Sequence, residues 1–525
     1  MNFEKHCKLI VIFVTLLKSA EICPRPSGGS TVTPPADVRT SNGRLETSFA
    51  FRSEVDDYGL TRYCYVSEKG GEAPTLRVRP GDEVVLTIKN ELMTLPHGSP
   101  VEHKHAPHAC SGGPMTSVST NLHFHGLEIP PTCHQDDVIH TSIQPSDPAF
   151  QYRFRIPAGQ PPGLYWYHPH PHGYSERQVL GGASGALIVE GIRNFKPQVA
   201  DLPERVLILR DQRMLGPSGD RDDTSGKDIS LNFVPIMFPL YMPAVMRVKA
   251  DQREFWRVLN ASADTYFSLQ VITVDNERRV AQDMQLIAMD GVPLADDIRR
   301  TEILVSPGSR AEFILTTPHE GAFSQFVSRS YDTGPDGSAN PDRVLANIVS
   351  GNSIPEAHSV DEAGAAEWHF TDLRSEHPAA VRRLYFSEDR EDLRSPGKPA
   401  RYFITVEGRT PALFDMNFKR PDITVRQGSV EDWIIENRAR EGHVFHIHQL
   451  HFQLLARDAV EMDQPSLLDT IDLPYWDGKS ARYPSVKLRM DFRAREIVGT
   501  FLFHCHILEH EDAGMMGSVE VVRRR

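Results

Sequence analysis

The stretch FLFHCHILEHEDAGMM, Phe501 to Met516, sets Cys505 between His504 and His506, with His510 and Met515 beyond. Imidazole and thiolate together are ligands for a transition metal. The rest of the chain supplies partners in the same style. Twenty-three histidines predict roughly one His-X-His by chance; the chain has six, at His103/His105, His123/His125, His168/His170, His170/His172, His446/His448 and His504/His506. Four lie in apolar or aromatic surroundings: NLHFHGL (Asn121 to Leu127), YWYHPHPHG (Tyr165 to Gly173), HVFHIHQLHF (His443 to Phe452) and FLFHCHIL (Phe501 to Leu508). His103/His105 sits in a polar loop and His172 follows a working pair, so both read as bystanders.

On a β-strand, residues i and i+2 face the same side. Each pair therefore aims two imidazoles one way while its apolar neighbours pack behind. In HCH, Cys505 must face away from His504 and His506, so one strand addresses two sites. On the thiolate side, His510 and Met515 follow Cys505 at offsets of five and ten, and His443 offers a second imidazole. Two histidines, a cysteine and a weak methionine make a blue-copper electron-transfer site. On the other side His123, His125, His168, His170, His446, His448, His504 and His506 can converge. Eight imidazoles suit three copper ions. Structural zinc wants four closed ligands, commonly several cysteines, and this set has one cysteine.

The elements that must hold these residues are strands. TLRVRPGDEVVLTIKNEL from Thr75, MRVKADQREFWRVLNAS from Met246 and DITVRQGSVEDWIIENRA from Asp422 each read as strand, polar turn, strand, in a hairpin-like unit. Each ends near an asparagine: Asn90, Asn260 and Asn437. Three copies about 170 residues apart predict three similar β domains. GLYWYHPH followed by GASGALIVEG echoes GTFLFHCH followed by GMMGSVEVV, so the first and third domains end alike, while the middle copy, AEFILTTP, has no histidine pair. The resulting division is 41–195, 196–370 and 380–525, with Ser328 to Ala380 read as linker and irregular loop, and 24–40 as a flexible leader.

Composition fits a globular protein: 40% hydrophobic, 24% charged, with 39 prolines and 36 glycines marking many turns. A net charge of −13 argues against a nucleic-acid partner. Lys5 and Lys8 precede the apolar run Leu9 to Leu17, too short to span a bilayer, so residues 1–23 read as a secretory signal. No later segment reads as a membrane span. The expected location is periplasmic or extracellular. Cys7 and Cys23 would leave with the signal, and export permits one disulfide among Cys64, Cys110 and Cys133, with the pairing open.

At HFHG, WYHPH, HVFHIH and HCHILEHEDAGM the chain resembles the multicopper oxidases, the family of laccases, bacterial copper-efflux oxidases and bilirubin oxidases. The resemblance spans about Leu45 to Val522. It implies an all-β fold of three cupredoxin-like Greek-key β-barrel domains, and one-electron oxidations coupled to reduction of O₂ to water. It implies four copper ions: type 1 on His443, Cys505 and His510 with Met515 axial; type 2 on His123 and His446; one type 3 ion on His125, His168 and His506, the other on His170, His448 and His504. The trinuclear cluster would lie between the first and third domains, with the middle domain a spacer and part of the substrate surface. Glu511 matches the family's proton-relay glutamate. For the second acid the segment EIPPTCHQDDVIH offers Asp136 and Asp137, with Asp137 preferred. Glu441 is a candidate donor-site carboxylate. The expected donor is a phenol or aromatic amine, as in laccases. The alternatives are Cu(I) or another metal ion in copper tolerance, and a non-catalytic copper-binding or coat protein. A monomer is favoured.

Overall fold

The computed structural model describes residues 23–55, 59–92, 108–113, 115–212, 227–236, 241–275, 278–351, 368–389, 400–463 and 465–524. The apolar run Leu9 to Leu17 and the His103/His105 pair lie outside them. Among the described residues the strands form three successive two-sheet bodies, giving an all-β protein of three cupredoxin-like domains. The first pairs a five-stranded with a four-stranded sheet, the second a seven- with a six-stranded sheet, and the third a seven- with a five-stranded sheet. Each body encloses its own core, around Phe49, Tyr65, Leu86 and Tyr167, around Trp256, Phe313 and Phe326, and around Trp433, Phe445 and Phe503. Burying each such side chain is worth about 1.5–3 kcal/mol.

The repeated units form, but not as hairpins. Thr75–Val78 lies in the five-stranded sheet of the first domain while Glu83–Asn90 lies in the opposite sheet. Ala244–Val248 and Arg253–Asn260, and Ile423–Arg426 and Val430–Asn437, split in the same way. The second strand of each unit instead pairs in parallel with an earlier strand: Arg44–Val55, Glu204–Gln212 and Ala380–Asp389. Alternation reports which face is buried and not which neighbour is bonded, so two half-buried strands joined by a turn serve two facing sheets equally well.

The closing asparagines hold one geometry in all three domains. Asn90 donates to Val118 O and Ile143 O, Asn260 to Thr265 O and Val305 O, and Asn437 to Glu441 O and Pro474 O. Each side-chain oxygen accepts the N–H two residues on, from Leu92, Ser262 and Ala439. All three side chains are buried, so the amide replaces water for carbonyls that leave the sheet ladder. Trp256 and Trp433 repeat likewise, each indole N–H bonded to the glutamate two residues earlier, Glu254 and Glu431.

Three expectations need correction. Residues 24–40 are pinned: Val32 N–H donates to Val245 O, and Asp37–Arg39 pairs with Thr75 to Arg77. The stretch after Ser328 holds the strand Arg343–Ser350, paired with Phe323–Arg329 and Ala244–Val248, because RVLANIVS has apolar residues that complete the middle core. Cys23 is bonded to Cys64 and Cys110 to Cys133, two disulfides where one was expected, the first using a cysteine expected to leave with the signal; Cys505 is the free thiol among the described residues.

Candidate metal centre

Four short strands carry His123, His125, His168, His446 and His504, and His170, His448 and His506 follow at the strand ends. His123–His125 pairs antiparallel with Gly163–His168, bringing His123 opposite His168. His443–Ile447 pairs antiparallel with Gly499–Cys505, bringing His446 opposite His504. Both pairs meet across the boundary of the first and third domains. His123 stacks on His448 at 3.8 Å between ring centroids and His125 on His446 at 3.9 Å. All eight rings, including those of His168, His170, His504 and His506, are at most 2% exposed.

The ring nitrogens are sorted by their partners. His123 Nδ1 faces the Asp136 carboxylate at 3.0 Å, His168 Nδ1 faces Pro169 O at 3.0 Å and His504 Nδ1 faces Cys505 O at 3.0 Å. His446 Nδ1 faces Asp469 O at 2.8 Å, and His125 Nε2 faces the Asp469 carboxylate at 3.1 Å. Each partner only accepts, so the proton sits on that nitrogen and the other carries a lone pair. Those other nitrogens include His123 Nε2, His125 Nδ1, His168 Nε2 and His446 Nε2, buried without a hydrogen-bond partner, as are His448 Nδ1 and both nitrogens of His506. Buried polar atoms are almost always satisfied. A cage of inward lone pairs is what metal ions would satisfy. Its rings are held neutral: burial, followed for most by neighbouring imidazoles, lowers His123, His125, His170, His446, His448 and His506 well below the usual range. Burial takes His168 to about 3 and His504 to about 4. Neutral imidazole is the ligating form.

The opposite face of Gly499–Cys505 differs in kind. Cys505 Sγ lies 3.6 Å from His443 Nδ1 and 3.7 Å from His510 Nδ1, and those nitrogens are 3.1 Å apart. His510 rides on the one-turn helix Leu508–Asp512, and buried Met515 follows it. Three donors facing one another at these separations suit one ion bound at about 2.0–2.3 Å. Burial pushes the thiol up, but His443 and His510 outweigh it and bring Cys505 down to about 6. Burial likewise opposes charge on His510, yet Glu441 and Cys505 raise it to about 10.

Carboxylates flank both sites. Glu511 is fully buried, with Oε1 3.5 Å from His170 Nε2 and Oε2 3.2 Å from His504 Nδ1. Burial, then Asp512, raises its pKa well above the carboxylate range. Of the two aspartates, Asp136 reaches the cage. Besides His123 it accepts the Phe124 N–H at 2.9 Å and a bond from Gln449. Asp137 turns away to the exposed His140, 2.9 Å distant, so the preference for Asp137 is corrected. On an irregular loop, adjacent residues diverge, and spacing could not choose between them. Glu441 is buried with Oε1 3.5 Å from His510 Nε2. Sequence reading missed Glu388, whose Oε1 lies 3.2 Å from His443 Nε2. It also missed Asp469 and Arg310, which sit far from any histidine pair in the sequence and carry no motif.

Family models described as multicopper oxidase match residues 115–194, 166–348 and 391–525. The chain belongs to the multicopper oxidase family. A multicopper oxidase of Staphylococcus haemolyticus is 24% identical over 518 residues, covering 92% of this chain and 94% of that protein. A laccase of Bacillus subtilis is 22% identical, covering 85% and 88%. Among solved structures, a Campylobacter jejuni multicopper oxidase described as a metallo-oxidase superposes with a TM-score of 0.69 at 24% identity, covering 95% of this chain and 96% of that one. The donor set of this multicopper oxidase fits copper on its own terms, with imidazoles throughout and one thiolate at a single three-donor site.

Proposed function

We propose that this multicopper oxidase takes single electrons from a small phenolic or aromatic-amine donor at the Cys505 site and passes them to the histidine cage, where O₂ is reduced to water. The observation that carries this reading is the strand Gly499–Cys505, which joins the thiolate site to the cage through the backbone of one residue on either side. Copper, when bound, supplies the one-electron steps and the reduction of O₂. The proposed holders are His443, Cys505, His510 and Met515 for a type 1 ion, and His123 with His446 for a type 2 ion. His125, His168 and His506 would hold one type 3 ion, and His170, His448 and His504 the other, four ions in all. The inward lone pairs support this division, and so do the clusters His170–His448–His504 and His443–Cys505–His510.

Donor oxidation at a phenol releases a proton. A cleft of about 370 Å³ is lined by Glu388, Asp389, Arg401, Phe403, Pro411 and Leu413, and Glu388 links it to buried His443, 3.2 Å away. Its volume lies at the lower end of small-molecule sites. Phe403, Pro411 and Leu413 offer an apolar wall to an aromatic ring, and Glu388 is placed to take the proton while its neighbour His443 leads the electron inward. At the cage, Glu511, buried and raised in pKa beside His170 and His504, is the proposed proton supply for O₂ reduction, while Asp136 stands as the acceptor that orients His123.

A second reading, a metal-ion oxidase, is favoured by Glu388 and Asp389 sharing that cleft and by the metallo-oxidase description of the Campylobacter jejuni structure. A non-catalytic role is disfavoured by the complete donor set. Two disulfides support export to the periplasm or the outside. The deciding experiment follows O₂ uptake by copper-loaded protein with 2,6-dimethoxyphenol and with Cu(I). Turnover of the phenol is expected; rapid Cu(I) oxidation with negligible phenol turnover would reverse the two readings.

A further inference from the structure

We propose that Asp469 is a positioning residue that sets the orientation and tautomer of His125 and His446 together, and that the middle domain holds it there through Arg310. The inference rests on the copper reading above, because it concerns how two of the cage ligands are presented. Asp469 belongs to the third domain, just before the strand Thr470–Leu473. Its carboxylate accepts from His125 Nε2, a ring of the first domain, at 3.1 Å. Its main-chain carbonyl accepts from His446 Nδ1, a ring of the third domain, at 2.8 Å. One residue thus points His125 Nδ1 and His446 Nε2 inward, and these two rings are the ones stacked at 3.9 Å.

The carboxylate is itself fixed from a third direction. Arg310 of the middle domain grips it with two parallel bonds, Nη1 to Oδ1 and Nη2 to Oδ2, both 2.7 Å. Its Nε–H donates to Leu164 O of the first domain at 3.0 Å. Arg310, Asp469, His125 and His446 are all fully buried. A two-pronged guanidinium–carboxylate pair fixes rotation as well as distance. The junction leaves no slack: a Cβ on Gly126, which ends HFHG and has φ +85°, would stand 2.5 Å from Asp469 Oδ2 and 2.7 Å from Arg310 Nη2. The three domains therefore meet at one ion pair directly behind the cage. A middle domain that only spaced the other two would have no need of it.

The test is copper titration of apo-protein carrying Asp469→Asn or Arg310→Lys, read by metal analysis, near-ultraviolet absorption and electron paramagnetic resonance. Asp469→Asn is expected to retain blue absorption from the Cys505 site while the cage binds copper about 10- to 100-fold more weakly, the usual loss on removing a ligand's outer partner. Arg310→Lys keeps the charge but loses the fork, and should shift cage loading the same way by a smaller factor. The ratio of cage copper to blue copper is the readout that a merely structural role leaves unchanged, and blue absorption reports a folded third domain in each variant. Where Asp469→Asn does not fold, Arg310→Lys decides. Cage copper loading with wild-type affinity and unaltered spectra in the folded variants would overturn the proposal. A wild-type chain that takes up copper at neither site would overturn the copper reading instead.

Discussion

The two faces of the strand Gly499–Cys505 solve the same problem, presenting metal ligands, by opposite electrostatics. On the Cys505 face, a thiolate is stabilised by two imidazoles raised in pKa, one of them to about 10, each with a carboxylate at its outer edge. An ion binding there would displace protons from those imidazoles, since neutral imidazole is the ligating form. On the cage face, burial, joined at every ring but His504 by repulsion from neighbouring groups, lowers all eight imidazoles below their usual range. On the proposed reading, a carboxylate-edged site close to a cleft suits exchange with an outside donor, and a desolvated cage suits ions and O₂ screened from solvent.

The sharpest break of that comparison is Cys505→Ser. It should abolish blue absorption and donor turnover while the cage still binds copper, checked by absorption and metal analysis; activity surviving the change would remove Cys505 as the entry point. Glu388→Gln should leave the blue absorption in place but lower kcat/KM for a phenol about 100-fold, the low end for loss of a proton acceptor. A ferrocyanide donor, which releases no proton, should be affected far less, and equal losses for both donors would remove the proton-accepting role. Gly308→Ala works on the cage face alone. Its φ is +85° and its Cβ would stand 2.8 Å from His506 Nε2. Thermal unfolding should show a loss of about 1–2 kcal/mol from backbone strain, with cage copper depleted and the blue site intact. The mildest change is Met515→Leu, expected to raise the potential of the blue site in a redox titration with little effect on stability, because the axial ligand tunes that potential.

Much of this was legible in the sequence. The period-two pairing of imidazoles in apolar strands needs no tertiary information, since strand geometry alone puts i and i+2 on one side. The HCH triplet likewise forces two faces. Asn90, Asn260 and Asn437 marked equivalent strand ends in three domains, and their matching bonds follow from that repeat. Less legible were residues whose role depends on where a loop turns. Asp136 and Asp137 are neighbours, yet one faces His123 and the other His140. Cys23 looked detachable until its partner Cys64 was visible 41 residues away.

The sequence by itself determined which histidines and cysteine could cluster, their sidedness and the all-β repeats, because these depend on local periodicity and on the chemistry of single side chains. Only the tertiary structure decided that Glu388 edges His443, that Asp136 rather than Asp137 meets the cage, and that Arg310 of the middle domain grips Asp469 behind two histidines. Those contacts join residues from separate strands and domains. Their distances are set by how sheets pack and domains meet, which no short window of sequence encodes.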